Sequence, residues 1–169
     1  GHARMSENLP SGVSMRWAAF LRYETEAAAQ AVLKELKMDN DTIDRVKLLV
    51  RWWQRPIGRD EKAIRKTMSL MPEDAYRDLL ALKRCVADIP ESPKDLDEIF
   101  GLSQVIQQRG DCIRLKDLAV TGNDLINQGM KPGKAMGRAL SFLLDRVIED
   151  PEKNERETLL AELRAEGYL

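Results

Sequence analysis

Apolar residues recur at helical spacing along almost the whole of this chain, and glycines and prolines fall at the joints between the runs. No segment alternates apolar and polar residues as a half-buried strand would. The pattern therefore specifies an all-α fold of short amphipathic helices. With 169 residues, 43% of them hydrophobic, the chain can bury a core. No apolar run approaches the ~20 residues of a membrane-crossing helix, so no membrane partner is expected. Gly1 to Met5 lack the apolar stretch of a signal peptide and read as a cloning remnant. Cys85 and Cys112 have no metal-ligand spacing, and a reduced, cytoplasmic protein is the expectation.

The spacing predicts helices over 14–23, 24–37, 42–54, 60–70, 72–88, 95–108, 134–148 and 155–165. In the second, Ala28, Ala31, Val32 and Leu36 share one side. In the third, Ile43, Val46, Val50 and Trp53 form an inward stripe, with Asn40 or Asp41 as its cap. Ile64, Met68 and Met71 point inward later on, as do Met136, Leu140, Leu143 and Val147. Thr121 and Asn154 read as caps of the last short helices. Residues 1–13 are expected to be disordered or cloning-derived. Residues 14–90 form a multi-helix body, and 94–169 a smaller C-terminal helical tail, with a linker at Pro90 and Pro93.

Histidine limits the chemistry. The only one is His2, so histidine-ligated metals and histidine triads are excluded. No nucleophilic serine motif, phosphate-binding Walker loop or dinucleotide loop is present. The acidic pairs Asp39/Asp41, Asp95/Asp97 and Glu149/Asp150 lie at helix ends, where acids favour the dipole. No catalytic residue and no metal site is expected.

Net charge is −1, yet Arg45 to Lys66 carries eight basic and two acidic residues, a balance of +6. Within it Lys47, Arg51, Arg55, Arg59, Lys62 and Lys66 recur at three- or four-residue spacing. Such a stripe either tracks a phosphodiester backbone or forms an ordinary solvated face. Trp52 beside it either stacks on a base or packs half-buried. A second candidate is the hairpin from Gly129 to Lys134. Lys131, Lys134 and Arg138, with the free N–H groups after Gly133, could hold a phosphate. The alternative is a plain helix–helix turn, with Gly137 allowing close packing.

The segments LKDLAVTGNDLI at 115–126, GMKPGKAMG at 129–137 and LLDRVIEDPEKNERETLL at 143–160 resemble the C-terminal region of bacterial tRNA nucleotidyltransferases, the CCA-adding enzymes, and of related poly(A) polymerases. MRWAAFL at 15–21 and MDNDTIDRVKLLVRWW at 38–53 resemble the HD-like helical segment of the same family. The resemblance departs at FLRYE, 20–24, where relatives often carry a His-Asp pair, and at Trp52-Trp53, where others have histidines. It therefore implies a degenerate HD-like body without metal-dependent phosphohydrolase activity. It also implies a nucleotidyltransferase head, using Mg²⁺ and CTP or ATP, that nothing in this chain matches. On this reading the chain is a C-terminal piece that is not an enzyme by itself and binds tRNA or another structured RNA, positioning its 3′ end. A different reading is a helical scaffold or oligomerisation module, such as a homodimer, with Met68, Met71, Met130 and Met136 at an adaptable interface.

Overall fold

The computed structural model describes residues 12–169, so the expectation for the N-terminal segment, His2 included, lies outside the described residues as far as residue 11. The described chain is all-α, as the periodicity requires, with no strand among the described residues. The helices are α1 (Val13–Leu21), α2 (Glu26–Glu35), α3 (Asn40–Trp52), α4 (Glu61–Ser69), α5 (Glu73–Cys85), α6 (Pro93–Arg109), α7 (Gly122–Asn127), α8 (Lys134–Glu149) and α9 (Arg156–Ala165). Two 3₁₀ turns, Leu115–Asp117 and Pro151–Lys153, lie between the later ones.

The chain divides into two compact units that do not follow chain order. Among the described residues the first comprises 12–59 together with Leu70–Gly101, and the second Asp60–Ser69 together with Leu102–Leu169.

In the first unit α3 packs against α1, α2 and α5. Its inward stripe is the predicted one with Leu49 added: Ile43, Val46, Leu49, Val50 and Trp53 are all buried. The cap is Asp39 rather than Asn40 or Asp41. Its extended backbone lets the carboxylate accept from Thr42 N–H at 2.8 Å and from the Thr42 hydroxyl at 2.7 Å. Asn40 and Asp41 fall inside the first turn. The face of α2 is also corrected. Ala29 and Leu33 are buried, whereas Val32 and Leu36 stay exposed, because this short helix presents only a narrow i, i+4 line to the core.

An ion pair closes this unit. The Lys83 ammonium, fully buried, donates to both Glu91 oxygens at 2.9 and 2.8 Å and to the Arg55 carbonyl at 2.8 Å. Glu91 in turn accepts from Ile57 N–H at 2.8 Å. One buried pair thus satisfies the main chain of the turn after α3 from the segment before α6. Burial lowers the Lys83 pKa from its usual value, and Glu91 opposes that shift.

The second unit is centred on α8. Its Leu143 and Val147 are buried with Val120, Leu125, Leu159 and Leu163 in one cluster. Thr121 caps α7 as expected, its hydroxyl and main chain paired reciprocally with Asp124. Asn154 does not cap α9. Its side chain reaches across the sequence instead, accepting from Ala119 N–H at 2.8 Å and donating to the Asp117 carbonyl at 3.0 Å.

Removing one partner of the buried pair leaves an uncompensated charge. Lys83→Met or Glu91→Leu alone should therefore cost about 3–5 kcal/mol, and the double substitution clearly less than either. Urea unfolding of the three variants measures this.

Candidate nucleic-acid interface

The hairpin is built by rules that need glycine twice. Gly129 ends α7 with φ 94°, and Met130 N–H bonds to the Leu125 carbonyl at 3.0 Å while Gly129 N–H bonds to that of Ile126 at 2.9 Å. This is a Schellman closure, whose left-handed residue favours glycine. Gly133, at φ 146°, then opens α8 without any side-chain cap, and no acid stands in the first turn. The positive end of that helix dipole meets no carboxylate from its own first turn. Lys131 precedes α8, and Lys134 and Arg138 lie in its first two turns. All three are exposed, and among the described residues their side chains make no hydrogen bond and no ion pair. Lys134 and Arg138 lie one helical turn apart on the same face. Gly137 is not a packing glycine: a side chain built there meets nothing within 4 Å.

The other end of α8 is fixed by Arg65 on α4. Its guanidinium, 5% exposed, donates from Nε to the Ile148 carbonyl at 2.9 Å and pairs with Asp111 at 3.2 Å. Arg109 grips the same Asp111 carboxylate through two bonds of 2.7 Å. The Arg109 hydrogen bond holds the Asp111 carboxyl below its usual value against burial, and Arg65 adds to that effect. Buried arginine thereby satisfies the carboxyl end of the helix whose amino end carries the free cations.

The basic stripe is distributed differently from its sequence. Lys47, Arg51, Trp52, Arg55 and Arg59 belong to the first unit, Lys62 and Lys66 to the second. Only Lys47, Arg51 and Trp52 are on α3; Arg55 and Arg59 follow its end. Five of the six cations have carboxylate partners. Lys47 lies 3.8 Å from Asp44, and Arg51 grips Glu26 through two bonds of 2.6 and 2.5 Å. Arg59 pairs with Asp95 at 2.7 Å, Lys62 with Glu149 at 2.9 Å, and Lys66 with Asp145. Lys62 and Lys66 line a groove of about 520 Å³ with Ala63 and Ile148. Arg55 makes no ion pair and lies over the Trp52 ring at 5.1 Å. The partners Glu26, Asp145 and Glu149 carry no sequence signal because they are 25 to 87 residues from their cations.

Trp52 and Trp53 have separate surroundings. Trp53 is buried, its indole N–H donating to the Arg22 carbonyl at 2.6 Å and its ring meeting Tyr23 edge-on at 5.3 Å. Arg22 lies 4.4 Å from the Tyr23 ring centre and 5.8 Å from that of Trp53. Aromatic and guanidinium groups thus fill the place where Arg22 and Tyr23 meet Trp53. Asp39, Asp95, Asp97, Glu149 and Asp150 act as caps or ion-pair partners. Among the described residues no three His, Cys, Asp or Glu side chains are grouped as metal ligands. Burial pushes the Cys112 thiol up to about 11 and also raises that of Cys85. Met68 and Met71 are buried, and Met130 and Met136, partly buried, pack on the second unit's core. No helix among the described residues is long and apolar enough to cross a membrane.

Residues 11–163 match the family model for tRNA nucleotidyltransferase domain 2. A CCA-adding enzyme of Limosilactobacillus fermentum is 42% identical over 69 residues, 39% of this chain and 16% of that protein. A CCA-adding enzyme of Lacticaseibacillus paracasei is 49% identical over 45 residues, 27% of this chain and 11% of that protein. The chain thus matches less than a fifth of the length of these curated relatives. No solved structure matches it significantly.

Because the Asp111 pKa is lower folded than unfolded, its contribution is complete above the unfolded value of about 4 and disappears as pH falls toward the folded one. The thermal midpoint should drop on acidification below about pH 4. Asp111→Asn should lower the midpoint at neutral pH and flatten the acid decline, as followed by circular dichroism.

Proposed function

Because this chain belongs to the tRNA nucleotidyltransferase domain 2 family, we propose that it is the RNA-holding C-terminal region of a nucleotidyltransferase that extends tRNA or a related structured RNA. Its action is positional. It holds the RNA so that the 3′ end reaches a separate catalytic head, and it adds no nucleotide itself. Mg²⁺ and CTP or ATP belong to the head on this reading, and the cytoplasm is where the region would meet its RNA.

The observation that carries the proposal is the hairpin from Gly129 to Arg138. Lys134 at the positive end of a helix dipole is locally unfavourable, by about 0.3–1 kcal/mol for an exposed charge. No carboxylate offsets Lys131, Lys134 or Arg138 among the described residues. A phosphate diester supplies the missing negative charge and accepts from the first N–H groups of α8. The stripe residues Lys47, Arg51, Arg59, Lys62 and Lys66 are weaker phosphate ligands, since each would exchange one anionic partner for another. Arg65 and Asp111 act at a distance, by fixing the far end of α8.

Each neutralised phosphate releases condensed counterions, so affinity for tRNA should fall steeply with salt. Replacing Lys131, Lys134 and Arg138 by glutamine should weaken tRNA binding. The slope of log affinity against log salt should also become shallower, by roughly 0.7–0.9 for each phosphate that the variant no longer neutralises. Titrations across a salt series with folded variant protein give both quantities. Unchanged affinity and slope would reduce the hairpin to a packing turn.

A further inference from the structure

Arg55 differs from every other cation of the stripe. Among the described residues its exposed side chain makes no hydrogen bond or ion pair, although its charge acts at longer range on Glu26, and its guanidinium carbon lies 5.1 Å from the centre of the Trp52 ring. The charged residues on either side are neutralised, Arg51 by Glu26 and Arg59 by Asp95. The fold uses the main chain of Arg55, whose carbonyl accepts from Lys83 at 2.8 Å. The buried joint therefore does not need the guanidinium. Within the stripe Arg55 is thus the cation that lies over an aromatic ring, between two arginines held by carboxylates.

That arrangement suits a flat π-system better than a phosphate backbone. A guanidinium is planar, weakly hydrated and able to stack, and an aromatic partner favours it by cation–π attraction. Unpaired bases are recognised by stacking on aromatic rings and on arginine planes. A run of phosphates would instead call for several uncompensated cations, and Arg51 and Arg59 are already engaged.

We propose that Arg55 and Trp52 form a stacking site for one unpaired nucleobase of a bound RNA. The proposal deepens the RNA-holding reading and rests on it for the source of the base. The stripe then contributes through stacking, which depends little on salt, while the hairpin contributes the salt-dependent part.

The test uses the whole chain with a short single-stranded oligoadenylate and, as control, a fully paired RNA duplex. The single strand should quench tryptophan emission, and the quenched component should disappear in Trp52→Phe, which keeps a ring at that position. Arg55→Lys keeps the charge but removes the plane. It should weaken oligoadenylate binding roughly tenfold, leaving its salt slope and duplex binding unchanged. Wild-type affinity in Arg55→Lys, an equal weakening on the duplex, or quenching that persists in Trp52→Phe would each overturn the proposal. If the hairpin variants bind tRNA normally while Arg55→Lys no longer holds the oligoadenylate, the hairpin reading fails and the stacking site stands.

Discussion

A charge removed from water must meet its counter-charge inside the fold, and this requirement organises both units. Lys83 and Glu91 do so in the first, where the ammonium also satisfies the Arg55 carbonyl. Arg65 and Asp111 do so in the second, where exposed Arg109 also grips Asp111 and Arg65 takes up the Ile148 carbonyl at the end of α8. Neither group of charges could be buried alone without a large desolvation penalty. Each is placed where a helix end or a turn would otherwise leave main-chain oxygens unsatisfied. The same pairing continues on the surface. Most stripe cations are held by acids from distant parts of the sequence, so the net +6 of residues 45–66 does not translate into open positive surface.

Of the two candidate surfaces, the hairpin sets three exposed cations at and around an uncapped helix start, and the stripe leaves one arginine on a half-buried indole. These are two kinds of surface. One offers charge and N–H groups to phosphate, and the other offers a stacked plane to a base. On the proposed reading tRNA or a related structured RNA is the ligand of both surfaces, and their role is to position it.

The helices are legible in the sequence because burial imposes a period. The stripe of α3 can be read off Ile43, Val46, Val50 and Trp53, and the hairpin off Gly129 and Gly133, whose conformations few other residues adopt. The α2 face is not legible in the same way, because alanines surround it and hydrophobicity alone does not rank Ala29 above Ala28. Asn154 misleads because a capping side chain and a bridging one look alike in sequence. The stripe is legible as charge but not as available charge. Pairing of Arg51 with Glu26 or Lys62 with Glu149 is set by tertiary structure, and spacing along one helix carries no trace of it.

On the proposed reading RNA meets this chain at the hairpin and at the Arg55–Trp52 pair. Backbone amide shifts of the labelled protein on addition of tRNA test that reading. Changes should concentrate at 129–138, with a second group around Trp52 and Arg55, and little change at Lys62 and Lys66. Changes centred on α4, or spread evenly over the basic residues, would contradict it.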